Sequence, residues 1–314
     1  MEDILIDAQP VSPGVQKRVD IEVARLPSGT VIHMPVFVYR SKNPGPVVML
    51  SGGLHGDEIN GVEIIRRVVA SKWIQQLLSG TIVALPIINV YGFIHFSREV
   101  PDGKDVNRSF PGNPDGSLAS IVASIISRKI LPLIDYGIDF HTGGASRTNF
   151  PQIRYDRRDP VAAELSKAFN APYTIYSSVI DGSLRSTASQ MNKSIIVYEG
   201  GESMRFDQFA IEEGLKGIRR VLKHLGMIRV GASSASKSIV CANTTWVRAE
   251  ASGLFTCLKQ SGQEVFAGEV IGYVHNPYNL YNVPVITSVS GHIIGHNNIP
   301  LVHRGDALFH IGYT

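Results

Sequence analysis

The chain has 314 residues, 44% of them hydrophobic and 18% charged, enough for a sizeable core and too few charges for a disordered or filamentous protein. The net charge of +3 is not gathered into a Lys/Arg block, which argues against a nucleic-acid partner. Two cysteines, Cys241 and Cys257, exclude a disulfide framework and are expected as buried or half-buried free thiols.

Met1-Glu2-Asp3 carries no basic leader, and no apolar run reaches the length of a membrane span, so a cytoplasmic chain with no membrane partner is expected. The first strand signal is the alternating, β-rich run from Thr30 to Tyr39. Pro46 to Leu50 is an apolar run ending at Ser51-Gly52-Gly53, as a buried strand meeting a loop would. Asp57 to Leu78 shows helical spacing through Ile59, Val62, Ile65, Val69 and Trp73. Thr81 to Val90 reads as strand, and Tyr91 to Gly116 as a long polar loop of the kind that carries function. Helices are expected at Leu118–Ile134, Val161–Phe169, Leu184–Met191 and Phe206–Leu225, and strands at Tyr136–Phe140, Tyr173–Tyr176 and Ser194–Tyr198. This alternation predicts an α/β fold with a mixed central sheet and helices on both faces, with ligands bound at the carboxyl ends of strands.

The character changes after residue 230. Gly231 to Lys237 reads as a linker, and 239–314 shows short strands without helical periodicity. Ala251-Ser252-Gly253 leading to Val270-Ile271 is echoed by Ser288-Val289-Ser290-Gly291 leading to Leu308-Phe309, so a small β-barrel-like domain with pseudo-twofold symmetry is expected. The expected division is 1–230 for an α/β catalytic domain and 231–314 for this β-domain. Its repeat resembles a biotinyl/lipoyl hammerhead barrel. The segment between the halves, Asn276 to Asn282, has no lysine to modify, so a lid or oligomer-supporting role is expected instead, with Tyr278 or Tyr281 reaching substrate.

The strongest chemical signal is Gly53-Leu54-His55-Gly56-Asp57-Glu58. On an opening helical turn, His55 and Glu58 at i, i+3 share one face and can grip one metal ion. A catalytic zinc takes three protein ligands and keeps one position for water. His141, in Asp139-Phe140-His141-Thr142-Gly143-Gly144, stands at another strand end and fits as the third ligand, with Asp139 behind it as a partner that orients a ligand. The same donor set also suits Fe(II).

Four segments in order, GGLHGDEINGVE, DVNRSFPG, DFHTGG and YEGGE, resemble the succinylglutamate desuccinylase/aspartoacylase family of the zinc carboxypeptidase-like group. The resemblance covers residues 45–225 and implies a zinc amidohydrolase with one Zn²⁺ per chain, held by His55, Glu58 and His141. It also implies Glu199 as the catalytic carboxylate, with Glu202 as the nearby alternative, and Asn107 and Arg108 as binders of a substrate carboxylate. Arg98 lies in the same loop and is expected to add positive charge or stabilise an oxyanion. Arg147 and Arg154 follow the third ligand and are within reach of such a site. The implied activity is hydrolysis of a small, carboxylate-bearing N-acyl amino acid. The alternatives are a metallocarboxypeptidase acting on short or cell-wall peptides and a non-catalytic metal-binding scaffold. Assembly as a homo-oligomer is compatible with all three.

Overall fold

The computed structural model describes residues 2–229 and 237–314. Residues 231–236 of the expected linker lie outside the described residues. The strands that matter here are β1 (Gln16–Arg25), β2 (Val31–Arg40), β3 (Val47–Ser51), β4 (Thr81–Leu85), β5 (Tyr136–Gly143), β6 (Arg147–Tyr155), β7 (Tyr173–Tyr176) and β8 (Ser194–Glu202). The helices are α1 (Ile59–Val69), α2 (Leu118–Ile125), α3 (Pro160–Phe169), α4 (Leu184–Gln190) and α5 (Gln208–His224). The C-terminal residues add β9 (Asn243–Arg248), β10 (Gly253–Cys257), β11 (Val270–His275), β12 (Asn282–Ile286), β13 (Gly291–Asn297) and β14 (Ala307–Tyr313).

One mixed sheet organises the molecule in the order β9-β14-β13-β6-β8-β5-β3-β4-β2-β1. The centre is parallel: β3 runs beside β4 and β5, and β5 beside β8. Strands buried on both faces read as continuous apolar runs, which is why β3 and β4 are legible as VVMLS and TIVAL. Two apolar layers cover the sheet. Leu184, Ala188, Ala119 and Val122 of α4 and α2 pack on one face with Val19 and Ile21 of β1. Ile64 and Val68 of α1, Leu165 and Phe169 of α3, and Ile218 and Val221 of α5 pack on the other. The chain is thus an α/β fold with helices on both faces. No described helix is long and apolar enough to cross a membrane.

Several elements differ from expectation for identifiable reasons. Helix α1 begins only at Ile59, because Glu58 has a non-helical backbone (φ −88°, ψ 70°). His55 and Glu58 therefore approach through a turn, closed by the Glu58 N–H donating to the His55 carbonyl at 3.2 Å, and not along a helical face. β6 gave no strand signal because it contains Pro151, which cannot donate to a ladder. A bulge between Glu199 and Gly201 of β8, opposite Gln152 and Asn149, absorbs it. β5 and β8 run past Phe140 and Tyr198 to Gly143 and Glu202, which pair with each other, and β6 pairs with β8 on its other side. The helix expected at Leu118–Ile134 widens into a π turn at Ile126–Ile130 and tightens into a 3₁₀ turn at Leu131–Leu133, where Pro132 lacks an N–H.

The repeat in the C-terminal residues appears as two half-units whose short strands are exchanged. Glu264–Val265 of the first pairs with β13 of the second, and Leu301–Val302 of the second pairs with β10 of the first. Meanwhile β13 also pairs with β6, aligning Gly295 with Asn149 and Asn297 with Arg147. The C-terminal strands therefore extend the catalytic sheet. Cys241 is buried as expected, whereas Cys257 is exposed, being on the outer side of β10.

The packing of α5 on α3 offers a direct check. A Cβ at Gly217 would lie 2.2 Å from the ring of the fully buried Phe169. Overpacking of this kind costs about 1–3 kcal/mol. Gly217→Ala should lower the unfolding free energy by that amount, read as a lower urea midpoint at an unchanged m-value.

Candidate active site

The carboxyl ends of β3, β5 and β8 and the turn before α1 converge on one cavity of about 430 Å³. Its floor holds three buried side chains, His55, Glu58 and His141, whose ligand-type atoms all lie within 4.8 Å of one another. Nδ1 of His55 is 2.8 Å from Glu58 Oε1, Nδ1 of His141 is 2.8 Å from Glu58 Oε2, and the two Nδ1 atoms are 3.2 Å apart. Two imidazole nitrogens and a carboxylate turned to one point are a donor set suited to a metal ion.

The remaining ring nitrogens are held from behind. Asp139 Oδ2 lies 2.8 Å from His141 Nε2, and Ser51 Oγ donates to Asp139 Oδ1 at 2.7 Å. Asp105 Oδ1 lies 3.2 Å from His55 Nε2, an ion-pair contact without hydrogen-bond geometry. A carboxylate accepting the back N–H, as Asp139 does for His141, selects the tautomer that turns Nδ1 toward the shared point and raises its basicity. The charges sort accordingly. Burial by itself would push the Glu58 acid up, but His55 and His141 outweigh it and hold the carboxyl well below its usual range. For His141, burial opposes protonation, and Asp139 and Glu58 together override it and raise the pKa.

Arg98 borders this trio. Its Nη1 is 3.1 Å from His55 Nδ1 and 3.3 Å from Glu58 Oε1, and its Nη2 donates to Asp105 Oδ2 at 2.9 Å. Glu199 pairs in register with His141 across β8 and β5 and lines the same cavity as the trio. Asn149 Nδ2 donates to Glu199 Oε2, and Arg154 Nη1 lies 3.1 Å from Oε1. Glu202, three residues on, lies beyond the bulge beside Arg205 and lines a different depression. The glycines after Glu199 serve α1 and not the cavity: Gly201, at φ +82°, leaves room for Asn60, whose Nδ2 donates to the Gly200 carbonyl at 3.2 Å. Asn107 and Arg108 also line the cavity. The Asn107 side-chain oxygen accepts from the Leu184 N–H at 2.9 Å, which ties the loop to the start of α4, and Arg108 is exposed at the rim.

His55, Glu58, His141, Arg98, Asn107, Arg108 and Glu199 thus line one cavity, together with Asp139, Arg147 and Arg154. Reasoning from sequence missed Asp105, although it opens the quoted DVNR segment, and missed Asn149, Arg185 and Trp246. Trp246 reaches the cavity from β9, and no local pattern marks it. Tyr278 and Tyr281 do not reach the cavity. Tyr278 is 84% exposed at the β11–β12 turn, and the Tyr281 hydroxyl donates to the Ser252 carbonyl.

Residues 44–225 match the family model described as the succinylglutamate desuccinylase/aspartoacylase catalytic domain. The chain belongs to the succinylglutamate desuccinylase/aspartoacylase family. It is 29% identical to the N-alpha-acetyl-L-2,4-diaminobutyric acid deacetylase of Halomonas elongata, over 78% of this chain and 75% of the relative. Among solved structures it is similar to a succinylglutamate desuccinylase/aspartoacylase of Rhodobacter sphaeroides, with a TM-score of 0.83 and 26% identity over 95% of this chain and 94% of that one. The fold is shared as well with the ectoine utilization protein EutE (DoeB) of Ruegeria pomeroyi, with a TM-score of 0.85 and 24% identity over 95% of each chain. Since the succinylglutamate desuccinylase/aspartoacylase match spans β3 to α5, it contains every residue of the trio and Glu199 but not Trp246.

The far wall of the cavity has its own titration behaviour. Trp246 stacks on His310 with ring centroids 4.2 Å apart and planes 5° from parallel. His310 is 7% exposed, and burial followed by the nearby Arg154 pushes its pKa down to about 3. In the unfolded chain an ordinary histidine titrates near 6.5. Above that value both states are neutral and the stabilisation is fully present. Below it the unfolded chain takes a proton that the folded chain refuses, so stability falls by about 1.4 kcal/mol per pH unit toward the folded value. Between pH 7 and 5 the wild type should lose about 2 kcal/mol more than His310→Phe, which keeps an aromatic ring under Trp246. Urea unfolding of both proteins at the two pH values measures the difference.

Proposed function

We propose that the chain is a zinc-dependent deacylase that hydrolyses the amide bond of a small N-acyl amino acid. The observation that supports this reading is the register of β5 and β8, which pairs Glu199 with His141, both lining one arginine-rich cavity with the buried His55–Glu58–His141 donor set. Zinc, when bound by these three residues, polarises the scissile carbonyl and acidifies the attacking water.

The protein's own groups do the rest. Asp139 and Asp105 hold the two imidazoles with Nδ1 inward. Glu199, aimed by Asn149 and Arg154, takes a proton from the water and delivers it to the leaving nitrogen. The C–N bond breaks, and water and amide become a carboxylate and an amine. Arg98, beside the donor set, offers N–H groups to the oxygen on which charge develops. Asn107 and Arg108 at the rim bind the substrate carboxylate, Arg108 with its planar fork. The activity of the Halomonas elongata relative makes N-alpha-acetyl-L-2,4-diaminobutyrate one substrate to test.

Purified protein of measured metal content should release amine from a member of a panel of N-acetyl and N-succinyl amino acids, with short peptides alongside. Glu199→Gln should keep its zinc and lose about 10²–10⁴-fold in kcat. His141→Ala should lose the zinc itself, measured by elemental analysis. Release from peptides alone would move the protein to the carboxypeptidases. No release from any substrate, together with no stoichiometric metal, would overturn the reading in favour of a binding protein.

A further inference from the structure

Each carboxylate oxygen of Glu199 is held by a different side chain of β6. Asn149 Nδ2 donates to Oε2, and Arg154 Nη1 lies 3.1 Å from Oε1. A carboxylate fixed at both oxygens cannot turn without losing a partner, so its aim is set by whatever holds those partners.

Both partners lead to β13. Strand β6 lies between β8 and β13, and Asn149 is aligned with Gly201 on one side and with Gly295 on the other. Asn149 is buried, and a Cβ at Gly295 would lie 2.6 Å from its side-chain oxygen. The next neighbour of that Cβ, the Thr148 carbonyl oxygen, is 3.3 Å away and belongs to the backbone, so the Asn149 amide is the group that would give way. Gln152, aligned with Glu199 itself, is the second link. It is fully buried, its Nε2 donates to the Ile294 carbonyl at 3.1 Å, and its Oε1 accepts from Arg154 Nη2 at 3.5 Å. Moving a buried amide off its partners leaves unpaired polar atoms, which keeps this arrangement in place.

We propose that β13 positions the Glu199 carboxylate by acting through Asn149 and Gln152, so that hydrolysis depends on a C-terminal strand of which no residue lines the cavity. Asn149, Gln152 and Gly295 are positioning residues in this scheme. The effect on rate rests on the deacylase reading above, whereas the coupling of the strands does not.

The test is a double-mutant cycle on the full, metal-containing chain, with Gly295→Ala and Asn149→Ala made singly and together. Each single variant should lose about tenfold or more in kcat, with KM within about twofold and metal content unchanged. In the double variant the added methyl has no amide to displace, so Gly295→Ala should change the kcat of Asn149→Ala by less than about twofold. Gln152→Met, similar in volume but without the amide, should lower kcat with KM held. Gly217→Ala, which overpacks α5 on α3, is the control for lost stability and should leave kcat unchanged. An unchanged kcat in Gly295→Ala, or losses that multiply in the double variant, would overturn the proposal. Urea unfolding of the same four proteins reads the coupling without turnover, and the free-energy changes should be non-additive. A wild type that hydrolyses nothing refutes the deacylase reading, whereas additive unfolding free energies refute the coupling of β13 to Asn149.

Discussion

A carboxylate buried to 2% exposure between two imidazoles is the constraint on which the rest of this structure depends. Removing a carboxylate from water is expensive unless charge and hydrogen bonds replace the solvent. Glu58 gets both: His55 and His141 at 2.8 Å, the Thr142 N–H at 3.1 Å and the Arg98 guanidinium at 3.3 Å. The imidazoles are in turn backed by Asp105 and Asp139, and Asp139 by Ser51. The network reaches from β3 across β5 into the loop before Asn107, so the parallel centre of the sheet and the long polar loop are positioned together. A bound divalent cation would answer the negative charge gathered there.

The C-terminal strands are part of this arrangement, not an attachment to it. Gly295 of β13 faces Asn149, and a Cβ at that position would lie 2.6 Å from the Asn149 side-chain oxygen. Asn149 is the residue that holds Glu199. The carboxylate proposed as base therefore keeps its aim because a strand more than ninety positions further along the chain carries no side chain there. The same strands bring Trp246 and His310 to the far wall, where a neutral buried ring supports the aromatic face beside Arg147. Family membership accounts for the donor set and its surroundings in residues 44–225, and this wall lies beyond it.

Much of the architecture is legible in the sequence. Apolar runs such as VVMLS and TIVAL announce strands covered on both faces, and the 3.6-residue spacing of α1 and α5 announces helices lying on them. β6 was not legible, because its proline breaks the local signal and only the bulge in β8 makes the pairing workable. The helical geometry assigned to His55 and Glu58 was also wrong in detail. A spacing of three residues is shared by a helix and a tight turn, and the backbone of Glu58 chose the turn.

What the sequence determined by itself was the donor chemistry and its neighbourhood: a His and a Glu three apart after a glycine-rich strand end, a second His and a Glu at other strand ends, and an Asn-Arg pair in a polar loop. Such residues are visible because each stands next to a strand terminus, and a parallel sheet brings strand termini together. Tertiary structure alone decided which side chains complete the cavity. Asn149 and Trp246 depend on a strand register between segments far apart in the chain, and no local pattern encodes that register. It follows from the pairing of β6, in the middle of the chain, with β13, near its end.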